Sequence, residues 1–260
     1  MKTLLASLAL AALTSQALAA DLLDTVKQRG TLKIAMEGTY PPFNFKDANQ
    51  QLTGFEVDIA REVARRLHVK AEFTTGEWSG LLAGLQAGKF DVVINQVGVT
   101  AVRKQTFDFS VPYTYSSAQL IVRKNDSRRF KSLDELKGKT VGVGQGSNYA
   151  DMVKSVPGIA VKTYPGAPEY LQDLAAGRLD AALNDSLMIP FAVKESRLPL
   201  KAGAPVGDVA AMGIPFARNN PKFKAALDQA LAASFADGSF RKISLKWFGI
   251  DVSKPPRGAK

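Results

Sequence analysis

The chain has 260 residues, 46% hydrophobic and 22% charged, a globular composition with room for one or two cores. With no cysteine and a single histidine it has no disulfide framework, no cysteine for lipid attachment and no zinc-ligand set. The formal net charge of +10 comes from basic residues spread along the chain, without a basic stripe or an RNA-binding signature, so nucleic acid is not an expected partner.

The N-terminus differs from the rest. Lys2 precedes the apolar run LLASLALAAL, and ALA at 17–19 is a small-x-small cleavage signal. The run is too short to span a bilayer, so residues 1–19 are expected to be a secretory signal peptide cut after Ala19. The expected destination is the periplasm.

From Thr31 the chain alternates short β-like runs with helical patterns, the signature of an α/β fold with mostly parallel strands. TLKIAM (31–36) is a strand, and TYPPF is a turn. Phe55, Ile59, Val63 and Leu67 recur every fourth residue, with Ala60 and Ala64 beside them, and predict an amphipathic helix. VKAEF is a strand, SGLLAGLQAG a helix with Ser79 as N-cap and Gly88 as stop, and DVVIN a buried strand. A second series follows: the short helix SLDELKGK, strand TVGVG, a helix from Asn148 to Ser155, strand VKTY, helix EYLQDLAAG and strand DAALN. The tail predicts two helices joined at Asp237-Gly238, with Phe223, Leu227, Leu231 and Phe235 as one apolar stripe.

The two series share a pattern. LQAGKFDVVIN (85–95) and LAAGRLDAALN (174–184) both run L-x-A-G-basic-apolar-D-x-x-apolar-N, 89 residues apart. That distance is too long for a solenoid repeat and suits two similar α/β lobes.

Enzyme constellations are mostly missing. His68 stands alone at the end of a helix, and no G-x-S-x-G elbow appears, so no catalytic set is expected. The glycine-rich VGVGQGSN (141–148) resembles a phosphate loop but fails on spacing. The sixth position from Gly142 is Ser147, not the glycine of a dinucleotide fingerprint, and GKT at 138–140 lacks the upstream glycine of a P-loop. What remains is a strand end followed by a helix N-terminus, whose free N–H groups and dipole favour a small anion. Ser147 is open to two readings there, as the helix cap and as a donor to the anion. In the first series, Arg103 lies just past the C-terminal end of DVVIN, where open α/β sheets place ligands, and a guanidinium grips a carboxylate with two parallel bonds. EGTYPPF (37–43) and Trp78 add aromatic walls at other strand ends.

Taken together, the leader, GTLKIAMEGTYPPFNF, LTGFEVDIAREVARRL, FDVVINQVGVTAVRKQTFDFSVPY, LKGKTVGVGQGSN, GRLDAALND and KWFG occur in family order. The chain thereby resembles the family 3 solute-binding proteins of polar amino-acid ABC importers, and EGTYPPF with INQV is most like the cystine-binding branch. The resemblance implies a two-lobed, type II periplasmic-binding-protein fold, with residues 22–114 plus 213–260 as lobe 1 and 118–208 as lobe 2. The hinge strands would cross near 115–117 and 209–212. It implies that Arg103, Gly98, Ser147 and Asn148 hold a ligand carboxylate, that Asp185 and Gln96 meet the amino group, and that Tyr40, Phe55 and Trp78 line the side-chain pocket. Glu37 matches an acidic position reaching the amino group or the ligand's far end. Gly98 departs from the many relatives with Ser or Thr there, which removes a hydroxyl donor. The implied partners are an amino acid and the permease's transmembrane subunits, with no metal or cofactor, and a monomer is expected. Cystine is the leading ligand. Arginine, lysine, histidine or glutamine is the alternative, and a cyclohexadienyl dehydratase-like enzyme using Glu37 or Asp185 is a further one.

Overall fold

The computed structural model describes residues 20–255, so the expected signal peptide lies outside the described residues. After α1 (Leu22–Arg29), strand β1 (Thr31–Met36) enters a small antiparallel sheet of β2 (Thr39–Tyr40), β3 (Asn44–Lys46) and β4 (Leu52–Thr53). Then come α2 (Phe55–Arg66), β5 (Lys70–Thr75), α3 (Trp78–Gln86), β6 (Val92–Val93), α4 (Ala101–Lys104) and β7 (Phe107–Phe109). The chain crosses over on β8 (Thr114–Arg123) and continues through β9 (Thr140–Gly144), α5 (Asn148–Lys154), β10 (Ala160–Tyr164), α6 (Ala167–Ala175), β11 (Ala181–Asp185) and α7 (Ile189–Glu195). It returns on β12 (Leu200–Met212), followed by β13 (Pro215–Ala217), α8 (Pro221–Ala236) and α9 (Ser239–Phe248).

Two five-stranded sheets result, ordered β5-β1-β6-β13-β7 and β10-β9-β11-β8-β12. In each, only the fourth strand runs antiparallel to its neighbours. The fold is therefore the expected two-lobed α/β arrangement with helices flanking mostly parallel sheets. Strands β8 and β12 pair antiparallel where they cross, with Tyr115 opposite Ala211 and Ser116 opposite Ala210.

Alternation along the strands supplies both faces of each sheet. On β1, Ile34 and Met36 join the core under α2, while Ala35 faces Leu81 and Leu85 of α3. In the second lobe Leu120, Val141, Val143 and Leu183 pack with Ala150 and Val153 of α5, and Ile121 and Ala182 turn to Leu171 and Leu174 of α6. The α2 stripe is buried as its spacing requires: Phe55, Ile59 and Val63 are at most 2% exposed. Burying side chains of this size is worth about 1.5–3 kcal/mol each, so α2 is held chiefly by packing.

The repeated segments occupy the same place in both sheets, as α3–β6 and α6–β11. Asp91 and Asp180 open the paired strands in the same way. Each accepts a backbone N–H from the neighbouring strand, Lys33 at 2.7 Å and Thr140 at 2.9 Å, and each pairs with an arginine, Arg29 and Arg128.

Three local expectations change. Helix α3 begins at Trp78 with Glu77 at the cap, so Ser79 lies inside the first turn and caps nothing. Leu82 and Phe90 instead settle this helix by packing with Leu81 and Leu85 on the sheet. SLDELKGK contracts to one 3-10 turn, Asp134–Leu136, anchored by the fully buried Leu136. DVVIN keeps ladder pairing only at Val92 and Val93.

Candidate functional site

The C-terminal ends of β1, β6, β9 and β11 converge between the lobes around a small cavity. Helix α4 follows β6, and Thr100 caps it by accepting from the Arg103 N–H at 3.2 Å. That short turn turns Arg103 inward, where it is 9% exposed. Its Nη1 donates to the Gly98 carbonyl at 3.0 Å and its Nη2 to the Gly146 carbonyl at 3.2 Å, from the other lobe. The guanidinium lies over Trp78, 5.4 Å from the ring centroid. No carboxylate lies within salt-bridge distance of Arg103 among the described residues. Burial lowers its pKa from the usual range, the mark of a cation short of a counter-charge.

Opposite Arg103 stands the loop VGVGQGSN. Gly142 is a packing glycine: a Cβ there would meet Leu179 Cδ1 at 2.4 Å. Gly144 leaves room for Trp78, and Gly146 takes φ 72°, which turns the chain into α5. Ser147 resolves as the cap, its Oγ accepting from the Ala150 N–H at 3.1 Å. Its own N–H donates to the Gly144 carbonyl at 3.1 Å, so that N–H is occupied, while the residue itself lines the cavity. Asn148 and Tyr149, as the first two residues of α5, have N–H groups with no acceptor inside the helix.

Gly98 sits beside this loop. A Cβ there would lie 3.3 Å from Asn148 Oδ1 and 3.4 Å from Arg103 Nη1. A Ser or Thr there would press on the Asn148 amide, which would have to shift by a few tenths of an ångström.

Asp185 is fully buried at the end of β11. It accepts from Ser116 Oγ at 2.5 Å, Tyr149 Oη at 3.1 Å, Gln96 Nε2 at 3.2 Å and the Leu187 N–H at 2.8 Å. Burial raises its carboxyl and these four donors oppose that shift. Gln96 and Tyr149 line the cavity in front of it, and Gln96 holds a left-handed φ of 47°. Glu56 fixes that residue from behind. It accepts from the Gln96 N–H at 2.6 Å, from Asn44 Nδ2 at 2.8 Å and from Tyr113 Oη.

At the other end, Glu37 and Tyr40 line the cavity with Trp78. Glu37 Oε2 accepts from Asn95 Nδ2 at 2.7 Å, and burial pushes its carboxyl up to about 7. Tyr40 Oη donates across the cleft to Asn184 Oδ1 at 2.7 Å. Arg103, Gly98 and Asp185 adjoin residues of this wall without lining the cavity themselves, and Phe55 is not brought here. It is 0% exposed and packs between Phe43, Tyr113, Phe240 and Phe248, so the pocket expectation for it is corrected. A phenylalanine at the start of a core-facing helical stripe is core because the stripe continues through Ile59 and Val63.

Sequence reasoning missed Asn95, Tyr149, Gly166, Ala167, Tyr170 and Asn184 in the wall. Two had a signal: Asn95 and Asn184 are the last residues of the repeated segments, carried by the same strand to the cleft from either side.

Comparison with known proteins identifies the family. Residues 32–250 match the family model for bacterial extracellular solute-binding proteins, family 3. The chain is 42% identical over 234 residues to the L-cystine-binding protein TcyJ of Escherichia coli (strain K12), covering 90% of this chain and 88% of that one. It is 37% identical over 236 residues to the L-cystine-binding protein TcyA of Bacillus subtilis (strain 168), covering 90% and 87%. Among solved structures, an ancestral arginine-binding protein bound to arginine superposes with a TM-score of 0.81 at 38% identity, over 85% of this chain and 99% of that one.

Proposed function

Because the chain belongs to family 3 of the bacterial extracellular solute-binding proteins, we propose that it is the periplasmic component of an amino-acid ABC importer and that its ligand is L-cystine. One observation carries the amino-acid reading. Arg103 is buried without a carboxylate partner, beside the cavity and facing the first N–H groups of α5. A ligand carboxylate supplies the missing counter-charge and meets the Gly98 N–H and the N–H of Asn148. Asp185 and Gln96 take the ammonium, and Tyr40, Trp78 and Tyr170 wall the side chain.

The ligand sits between lobe 1, 22–114 plus 213–260, and lobe 2, 118–208. Bending at 115–117 and 209–212 opens and closes the lobes around it. Closure hands the loaded monomer to the permease's transmembrane subunits. The protein binds and does not catalyse, and residues 1–19 direct it to the periplasm. A basic amino acid is the second reading, favoured by Glu37 at the far end of the cavity.

Calorimetry against the standard amino acids and cystine tests this. Tightest binding by cystine supports the proposal. Binding of arginine or glutamine without cystine removes the cystine reading, and binding of none removes the amino-acid reading.

A further inference from the structure

Asn184 decides the polarity of the two tyrosine hydroxyls beside it. The Asp185 backbone N–H, which can only donate, reaches Asn184 Oδ1 at 2.6 Å. That contact fixes which end of the amide is the oxygen. Tyr40 Oη also donates to Oδ1, at 2.7 Å, so the Tyr40 proton is spent there. The amide nitrogen therefore turns the other way, and Asn184 Nδ2 donates to Tyr170 Oη. A hydroxyl that accepts from an amide keeps its own proton for a further acceptor. None stands within reach: the Asn184 amide is the only hydrogen-bond partner of Tyr170 Oη among the described residues.

Packing keeps Tyr170 from turning away to find one. The residue is 1% exposed, and its ring meets Tyr164 edge-on with centroids 6.2 Å apart. On the other side it lies against Gly142, where a Cβ would stand 3.1 Å from Tyr170 Cβ. Tyr170, Asn184 and Tyr40 all line the ligand cavity. The wall thus holds one tyrosine whose proton is spent and one whose proton is not. Buried tyrosine hydroxyls ordinarily find a partner, and a donor left unmet beside a bound ligand costs affinity.

Resting on the amino-acid reading above, we propose that Tyr170 selects ligands by donating to an oxygen acceptor on their side chain, with Asn184 setting its polarity. Cystine supplies such an acceptor in its far carboxylate, and glutamine in its amide carbonyl. The side chains of arginine and lysine carry donors only and leave the hydroxyl unmet.

The test uses calorimetry on the mature chain with L-cystine and with the mixed disulfide of L-cysteine and cysteamine, which lacks only the far carboxylate. The parent is expected to prefer cystine. Tyr170→Phe keeps the packed ring and removes the hydroxyl. Cystine affinity is expected to fall about tenfold in this variant, and mixed-disulfide affinity by less than about twofold. Tyr40→Phe, whose proton goes to Asn184, is expected to weaken both ligands by the same factor. Unchanged cystine affinity in Tyr170→Phe overturns the proposal, as do equal losses for the two ligands there. A loss confined to cystine in Tyr40→Phe overturns the assigned polarity. If the parent binds no amino acid, the amino-acid reading falls and takes this inference with it. If the parent binds both disulfides equally, or binds arginine but neither cystine nor glutamine, only the donor role of Tyr170 falls.

Discussion

Tyr40 Oη donates to Asn184 Oδ1 at 2.7 Å, joining the turn after β1 in one lobe to the end of β11 in the other. Both groups are buried, and the Asn184 Nδ2 donates to Tyr170 Oη. The bond exists only while the lobes are together.

Tyr40→Phe should therefore leave folding nearly intact and weaken closure. A net hydrogen bond of about 1 kcal/mol corresponds to a roughly fivefold rise in Kd, seen mainly as faster release. Stopped-flow dissociation together with a melting curve checks this. A large loss of melting temperature with unchanged release would contradict it.

Arg103→Ala should lower affinity for every α-amino acid by at least about tenfold, because the carboxylate loses its cation. Arg103→Met separates binding from stability. A buried, unpaired guanidinium is a desolvation cost to the unliganded fold, so this variant should melt at or above the parent temperature without ligand. Thermal melts with and without ligand read both effects, and a clear fall in the unliganded melt would show that Arg103 is structural.

Burial pushes the carboxyls of Glu37 and Glu56 up to about 7 from 4.5. The folded chain then holds these protons more tightly than the unfolded chain. Between about pH 4.5 and 7, stability from these groups falls as pH rises. Below that window the opposite case takes over at Asp126, which Arg128 holds down at about 2, so its contribution is lost as pH falls towards that value. Urea melts across this range should show Glu56→Gln with a shallower decline towards neutral pH than the parent. Parallel curves would rule out Glu56 as a source of the slope.

Gly142→Ala tests the packing role of the loop's first glycine. The added methyl meets Leu179 and Tyr170 and should cost about 1–3 kcal/mol of stability by overpacking. Gly146→Ala acts differently, through a left-handed φ of 72° with open space around it, and should cost about 1 kcal/mol. Chemical denaturation distinguishes them, and a larger loss at Gly146 than at Gly142 would reverse the assignment.

The alternation of short strands with amphipathic helices was legible in the chain because each lobe is built from local βαβ units, whose periodicities are written in neighbouring residues. The repeat at 85–95 and 174–184 carried further: it marked the third strand of both sheets and ended on Asn95 and Asn184, both in the cleft wall. Arg103 and the loop at 141–148 could be singled out because strand ends are where open sheets leave backbone donors unpaired. Spacing alone could not separate Phe55 from Tyr40. Both are aromatics near a strand or helix start, and only packing decided that one faces four core rings and the other faces Asn184. The same holds for Ser147, whose backbone N–H is taken once the Gly144 carbonyl comes within reach. The sequence by itself determined the elements, the lobes and the candidate anion site, since these follow from contacts close along the chain. The tertiary structure decided which side chains share the cavity, because that depends on residues from both lobes meeting across the cleft, and no periodicity records such distances.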